Sequence, residues 1–185
     1  MGILDAGQNK PLEGGPSFSL GNRAFRALWS LTWLCLASWT PPMLHSWRRV
    51  LLRAFGAKIA DTAGIYGSVR IWYPPNLEMA DHSYLGPHVT CYCMAKITLD
   101  RYALVSQSAH LCAGTHDIDD PNFQLRAEPI TLGTSAWVAA EAFVGPGVKI
   151  GDGAVLGARG VTFKDLEPWT VYVGNPARRI RERHR

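Results

Sequence analysis

The sequence predicts a mainly-β rod in which short parallel strands coil about one axis, and three observations carry that prediction. In the C-terminal half the apolar residues Leu132, Val138, Val144, Ile150 and Leu156 recur every six positions. Each is followed by a small residue (Gly133, Ala139, Gly145, Gly151, Gly157), and two places before each stands Ile130, Ala136, Ala142, Val148 or Ala154. The same period runs through Ile59, Ile65, Ile71 and Leu77, then Leu85, Cys91 and Ile97, then Leu99, Val105 and Leu111. A period of six fits neither an α-helix nor a hairpin meander, whose signals recur at about 8–12 residues. It fits strands joined by tight turns, each coil hydrogen-bonded to the coils above and below. Three hexads per coil give a triangular section, and each two-residue slip in phase marks a widened corner.

In chain order, residues 1–56 form an N-terminal helical and apolar segment, 57–175 the repeat domain and 176–185 a basic C-terminal tail. The first 20 residues are polar and rich in glycine and proline, without a signal-peptide pattern. The stretch Ala27 to Trp39, ALWSLTWLCLASW, is the most apolar in the chain. It falls short of the roughly 20 residues a membrane-spanning helix needs. It either packs on the body or a neighbouring subunit, or lies in a membrane interface. Trp29, Trp33 and Trp39 would suit the headgroup boundary there, and Arg23, Arg26, Arg48, Arg49 and Arg53 an anionic surface. Between Leu111 and Ile130 the repeat stops, and a loop of about 115–129, containing Asp119-Asp120-Pro121, is expected to protrude.

Of the 185 residues, 47% are hydrophobic and 18% charged, a folded globular balance. The net charge of +4 comes largely from Arg178, Arg179, Arg181, Arg183 and Arg185, so no basic stripe crosses the domain and nucleic acid is not an expected partner. Cys35, Cys91, Cys93 and Cys112 read as free thiols in a reducing, cytoplasmic setting. Cys91-x-Cys93 lies in an apolar run with no second pair, which favours packing, and no metal is expected.

The hexad columns, and the ending Gly174-Asn175-Pro176-Ala177-Arg178, resemble the hexapeptide-repeat acyltransferases. PSFSLGNRAFRALW, the junction Arg53 to Ile59, Pro75-Asn76-Leu77, Ser106-Gln107 and Thr115-His116-Asp117 resemble more closely the colanic-acid-type exopolysaccharide acetyltransferases, from about Pro16 to Ile180. The resemblance implies a left-handed parallel β-helix, acetyl-CoA as donor, a sugar or glycan acceptor, and a homotrimer with sites between subunits. Among the residues it implies for coenzyme A are Lys164, Arg178 and Arg181 for its charges and Ala140 and Ala158 for its pantetheine arm. Phe163 departs from the threonine frequent in relatives, and Val89 to Cys93 lacks the asparagine that binds acceptor in galactoside and maltose enzymes. Tyr92 either replaces it or covers the coil.

Acyl transfer to a hydroxyl requires a base, donors for the oxyanion and placement of both reactants. Histidine suits the first role. His45 and His184 lie outside the repeats, His82 and His88 on hexad turns, and His110 beside the Leu111 anchor. His116 alone sits where a coil opens into a loop, and it matches the resembled family's general base. Asp117 either assists His116 or solvates the loop, as Asp119 and Asp120 do. Two other functions share such a rod: a γ-carbonic-anhydrase-like zinc enzyme, and a non-catalytic trimeric assembly module. His82 and His88, like His110 and His116, are six apart and fall on adjacent faces, which opposes a one-chain zinc site.

Overall fold

Three parallel sheets enclose one apolar core in the computed structural model, which describes residues 2–184. The first face stacks Lys58–Ile59, Leu77–Met79, Ile97–Leu99, Ile130–Leu132 and Lys149–Ile150. The second stacks Gly64–Ile65, Tyr84–Leu85, Leu104–Val105, Trp137–Val138, Val155–Leu156 and Thr170–Val173. The third stacks Arg70–Ile71, Thr90–Tyr92, His110–Cys112, Phe143–Val144 and Val161–Thr162. The predicted anchors and the small residues two before them point inward and are buried. Hexads therefore make the walls, and the triangular section holds.

The registers locate the phase slips. Leu77 lies opposite Ile97, Ile97 opposite Ile130 and Thr131 opposite Lys149, offsets of 20, 33 and 18 residues. The extra residues of the early coils all lie at the corner between the third and first faces. Ile71 is followed there by Met79 as the next anchor, and Cys91 by Leu99. Leu77 and Ile97, expected as ordinary anchors, lie past this widened corner on the first face, in the column of Ile130 two places before the anchors Met79 and Leu99, and are buried with them. The offset of 33 at the same corner holds the excursion.

The turns depart from expectation in one respect. Left-handed backbone recurs at six-residue intervals at Ser135, Glu141, Gly147, Gly153 and Arg159, and only two of these are glycine. The glycine column after the anchors has a different cause, the close approach of the next coil. A Cβ at Gly151 would stand 2.6 Å from the backbone nitrogen of Pro168 and 2.9 Å from the Leu166 carbonyl oxygen. Side-chain size, not φ, selects glycine there.

Ahead of the coils come α1 (Ala6–Asn9), α2 (Leu20–Leu36) and α3 (His45–Ala54). Ser19 caps α2 by accepting the Asn22 amide at 3.3 Å. Trp29 and Trp33 bury their rings on the third face and donate their indole N–H groups to the carbonyls of Ile71 (2.7 Å) and Gly67 (3.0 Å). Packing on the body thus accounts for one side of the apolar stretch. At the other end, the expected tail is a strand, Arg178–Glu182, antiparallel to Thr170–Val173. Arg183 then donates to the carbonyls of Ser135 (2.9 Å) and Gly153 (3.1 Å), so backbone pairing, which charge alone did not reveal, fixes this segment to the second face.

Candidate active site

The excursion is a two-stranded hairpin rather than an open loop. Gly114–His116 pairs antiparallel with Leu125–Ala127, placing His116 opposite Leu125. The Glu128 amide donates to the Ala113 carbonyl at 3.0 Å, and the Asp117 amide to that of Gln124 at 2.8 Å. At the tip the Asp120 carboxylate accepts the Asn122 amide at 2.7 Å. Asp119 gives its amide to Asp117 Oδ1 at 3.2 Å. Asp120, expected only to solvate the loop, thus braces the turn as well. From the N-terminus, the Ala6 amide donates to Gln124 Oε1 at 2.7 Å, so α1 buttresses the hairpin.

His116 is held by its own hairpin. Its Nδ1 lies 2.8 Å from the Phe123 carbonyl oxygen, and its ring stacks on the Phe123 ring at 4.2 Å with 13° between planes. Phe123 is in the left-handed region at φ 53°. A carbonyl can only accept, so Nδ1 carries the proton and Nε2 presents its lone pair. Asp117 turns its carboxylate to Arg126 instead of to the imidazole. The orienting acceptor is a backbone carbonyl, which no side-chain pattern marks.

The other histidines have different settings. His45 bonds the Ile65 amide at 3.1 Å, and His82 stacks on Tyr102 at 5.0 Å. His82 and His88 are both left-handed turn residues, as their positions suggested. His110 packs edge-on to Phe143 at 5.2 Å, and burial pulls its imidazole below the ordinary histidine value. His184 is exposed.

A groove of about 610 Å³ runs between α2 and the third face, lined by Arg26, Trp29, Trp33, Trp72 and Tyr92 among others. The Arg26 guanidinium lies 4.3 Å above the Trp72 ring, and Tyr92 meets that ring edge-on at 5.4 Å. Burial, aided by Cys112 and opposed by Arg26, pushes the Tyr92 hydroxyl above the usual tyrosine value. A Cβ at Gly114 would stand 3.1 Å from Tyr92 Cε1, so the groove ends at the foot of the hairpin. By sequence Arg26 is one of the cations flanking the apolar stretch. Its i, i+3, i+7 spacing with Trp29 and Trp33 is the signal that would have placed it on the buried side of α2.

The residues expected for coenzyme A divide between edges of the prism. Ala140 and Ala158 stack one coil apart at the corner between the second and third faces, where the Arg159 amide donates to the Ala140 carbonyl at 2.9 Å. Lys164 is exposed at the hairpin's own corner two coils above it, about 10 Å along the axis. Arg178 and Arg181 are exposed on the strand that caps the second face. One chain therefore does not bring Ala140 and Ala158 beside His116. Among the described residues, no three His, Cys, Asp or Glu side chains gather to hold a metal ion.

No protein-family model matches the chain. A protein of Escherichia coli (strain K12) described as a colanic acid biosynthesis acetyltransferase, WcaF, is 42% identical over 166 residues, covering 90% of this chain and 91% of that one. The galactoside O-acetyltransferase of the same organism is 28% identical over 138 residues, covering 73% and 68%. A solved structure of a galactoside acetyltransferase in complex with coenzyme A superposes with a TM-score of 0.79 at 23% identity, over 91% of this chain and 85% of that one. A superposition of that extent follows one coil path in both chains, as the hexad columns led us to expect. With its coiled hexads, its histidine-bearing hairpin and 42% identity over nine-tenths of its length, the chain belongs to the hexapeptide-repeat acetyltransferases, in the group that includes WcaF.

Proposed function

We propose that the protein is an O-acetyltransferase that moves acetyl from acetyl-CoA to a hydroxyl of a sugar or glycan in exopolysaccharide assembly. One observation carries this reading: the Phe123 carbonyl holds the proton on His116 Nδ1 and leaves Nε2 free as a base, on a hairpin rooted in a rigid wall. His116 Nε2 takes the acceptor's hydroxyl proton while that oxygen attacks the thioester carbonyl. The new C–O bond forms, the C–S bond breaks, and the imidazolium returns its proton to the departing thiolate. The Phe123 carbonyl stabilises the imidazolium through Nδ1–H.

The groove supports the acceptor role. Trp72 and Tyr92 offer aromatic faces, Arg26 offers a charge, and the groove reaches the hairpin's foot. Asp117 keeps the hairpin closed through Arg126. For the donor, Ala140 and Ala158 form a small-residue edge on which a pantetheine arm can lie, with Lys164, Arg178 and Arg181 as the cations for its phosphates. Because that edge and the His116 edge differ, the complete site needs a second subunit, and we assign a homotrimer with three shared sites. The WcaF description and the galactoside enzyme support a glycan acceptor, and the free cysteines a reducing, cytoplasmic setting.

The test is thiol release from acetyl-CoA against free, nucleotide-linked and lipid-linked sugars. Acceptor-dependent release is expected with at least one class. Release with none would return the non-catalytic assembly module.

A further inference from the structure

We propose that the outer side of α2, α3 and the linker between them is a docking surface for an anionic phospholipid bilayer. Trp29 and Trp33 anchor one side of α2, yet the opposite side is left apolar and bare. Leu28, Leu31, Trp39, Met43 and Val50 are each more than half exposed, with Trp39 at 72% and Met43 at 76%. Among the described residues no helix is long and apolar enough to cross a membrane, so the helices would lie in the plane of the interface.

The end of α2 is already prepared for a place without water. A helix leaves its last four carbonyls without intrahelical partners. Here side chains close them: Ser38 Oγ donates to the Leu34 carbonyl at 2.9 Å, the Trp39 indole to that of Cys35 at 2.7 Å, and the Trp47 indole to that of Leu36 at 2.7 Å. Thr40 does the same for Ala37. Both exposed tryptophans can thus enter an apolar layer with their N–H groups satisfied, and no helix carbonyl at that end is stripped bare.

Charge selects the occupant. No carboxylate occurs between Glu13 and Asp61, a span that carries Arg23, Arg26, Arg48, Arg49, Arg53 and Lys58. Arg48 is buried and Arg53 faces Asp61. Arg26 turns to the groove over Trp72. Among the described residues, Arg23 and Arg49 have no ion pair, and Arg23 opens the exposed stripe of α2. A cationic rim around an apolar face with aromatic ends complements an anionic headgroup layer over a hydrocarbon one. A second copy of the same face would set these cations against each other.

The experiment is co-sedimentation of the full-length protein with vesicles of phosphatidylcholine alone or mixed with phosphatidylglycerol, at low and high salt. The expected result is at least about tenfold stronger binding to the anionic vesicles, weakened by salt. The double variant Leu31→Glu/Met43→Glu should lose at least about tenfold in that binding. Both positions are exposed and outside the groove, so its mass by light scattering and its acetyl transfer to a soluble acceptor should stay those of the parent. Absence of vesicle binding, equal binding to neutral vesicles, or an unchanged variant would overturn the proposal. Dissociation of the variant's assembly would overturn it too, assigning the face to subunit contact.

Discussion

Replacing His116 with alanine lowers acetyl transfer by about 100- to 10,000-fold while the protein keeps its assembly state and loses only a few degrees of thermal midpoint. The size of the effect follows from the chemistry. A sugar hydroxyl is a poor nucleophile until its proton is removed, and in the proposed reaction His116 Nε2 removes it. The mild structural effect follows from the surroundings, since His116 is half-exposed and contributes one hydrogen bond and one ring contact, both to Phe123. Losing these costs about 1–2 kcal/mol on an edge remote from the core. Thiol release, read beside light scattering and a thermal scan, separates the two. A variant with normal turnover would remove His116 as the base.

The largest expected stability loss comes from Arg48→Met, about 3–5 kcal/mol. Arg48 is fully buried without a carboxylate partner among the described residues, and its guanidinium is satisfied by oxygens. It donates to the Ile65 carbonyl at 2.7 Å, to Thr40 Oγ1 and the Pro42 carbonyl at 3.1 Å each, and also to the carbonyls of Pro41 and Thr40. Burial draws it below the ordinary arginine value. One fork therefore ties the α2–α3 linker to the first strand of the second face. Methionine fills the volume but leaves several buried acceptors without donors. Lysine supplies charge without the planar fork and restores little. Denaturant unfolding of the three proteins checks the order: parent most stable, lysine variant below it, methionine variant lowest.

The walls of the rod were legible because a parallel coil imposes a period that no other element shares, and every core position repeats it. The phase slips were legible as events but displaced: Leu77 and Ile97 are as apolar as the anchors they precede, so only the register reveals that they share the column of Ile130. His116 stood out because a regular pattern broke beside it. The Phe123 carbonyl did not, because any residue supplies a carbonyl and only the hairpin's pairing brings this one to the imidazole. The same limit hid the C-terminal strand, whose arginines look like a solvated tail until Thr170–Val173 is seen to offer them an edge. Arg26 is hidden among flanking cations of the same sign, and only its helix face separates it from them.

The central claim is that each active site joins the His116 edge of one subunit to the Ala140–Ala158 edge of another. Its most direct test mixes two inactive parents, His116→Ala and Ala158→Trp, the second at an exposed corner where a bulky ring blocks the donor edge. Each parent alone should be inactive. Purified trimers carrying both chains should recover roughly one third of the parental rate, because one of their interfaces joins an intact His116 to an intact Ala158. Verified mixed trimers with no acetyl transfer would contradict the claim and place the whole site within one chain.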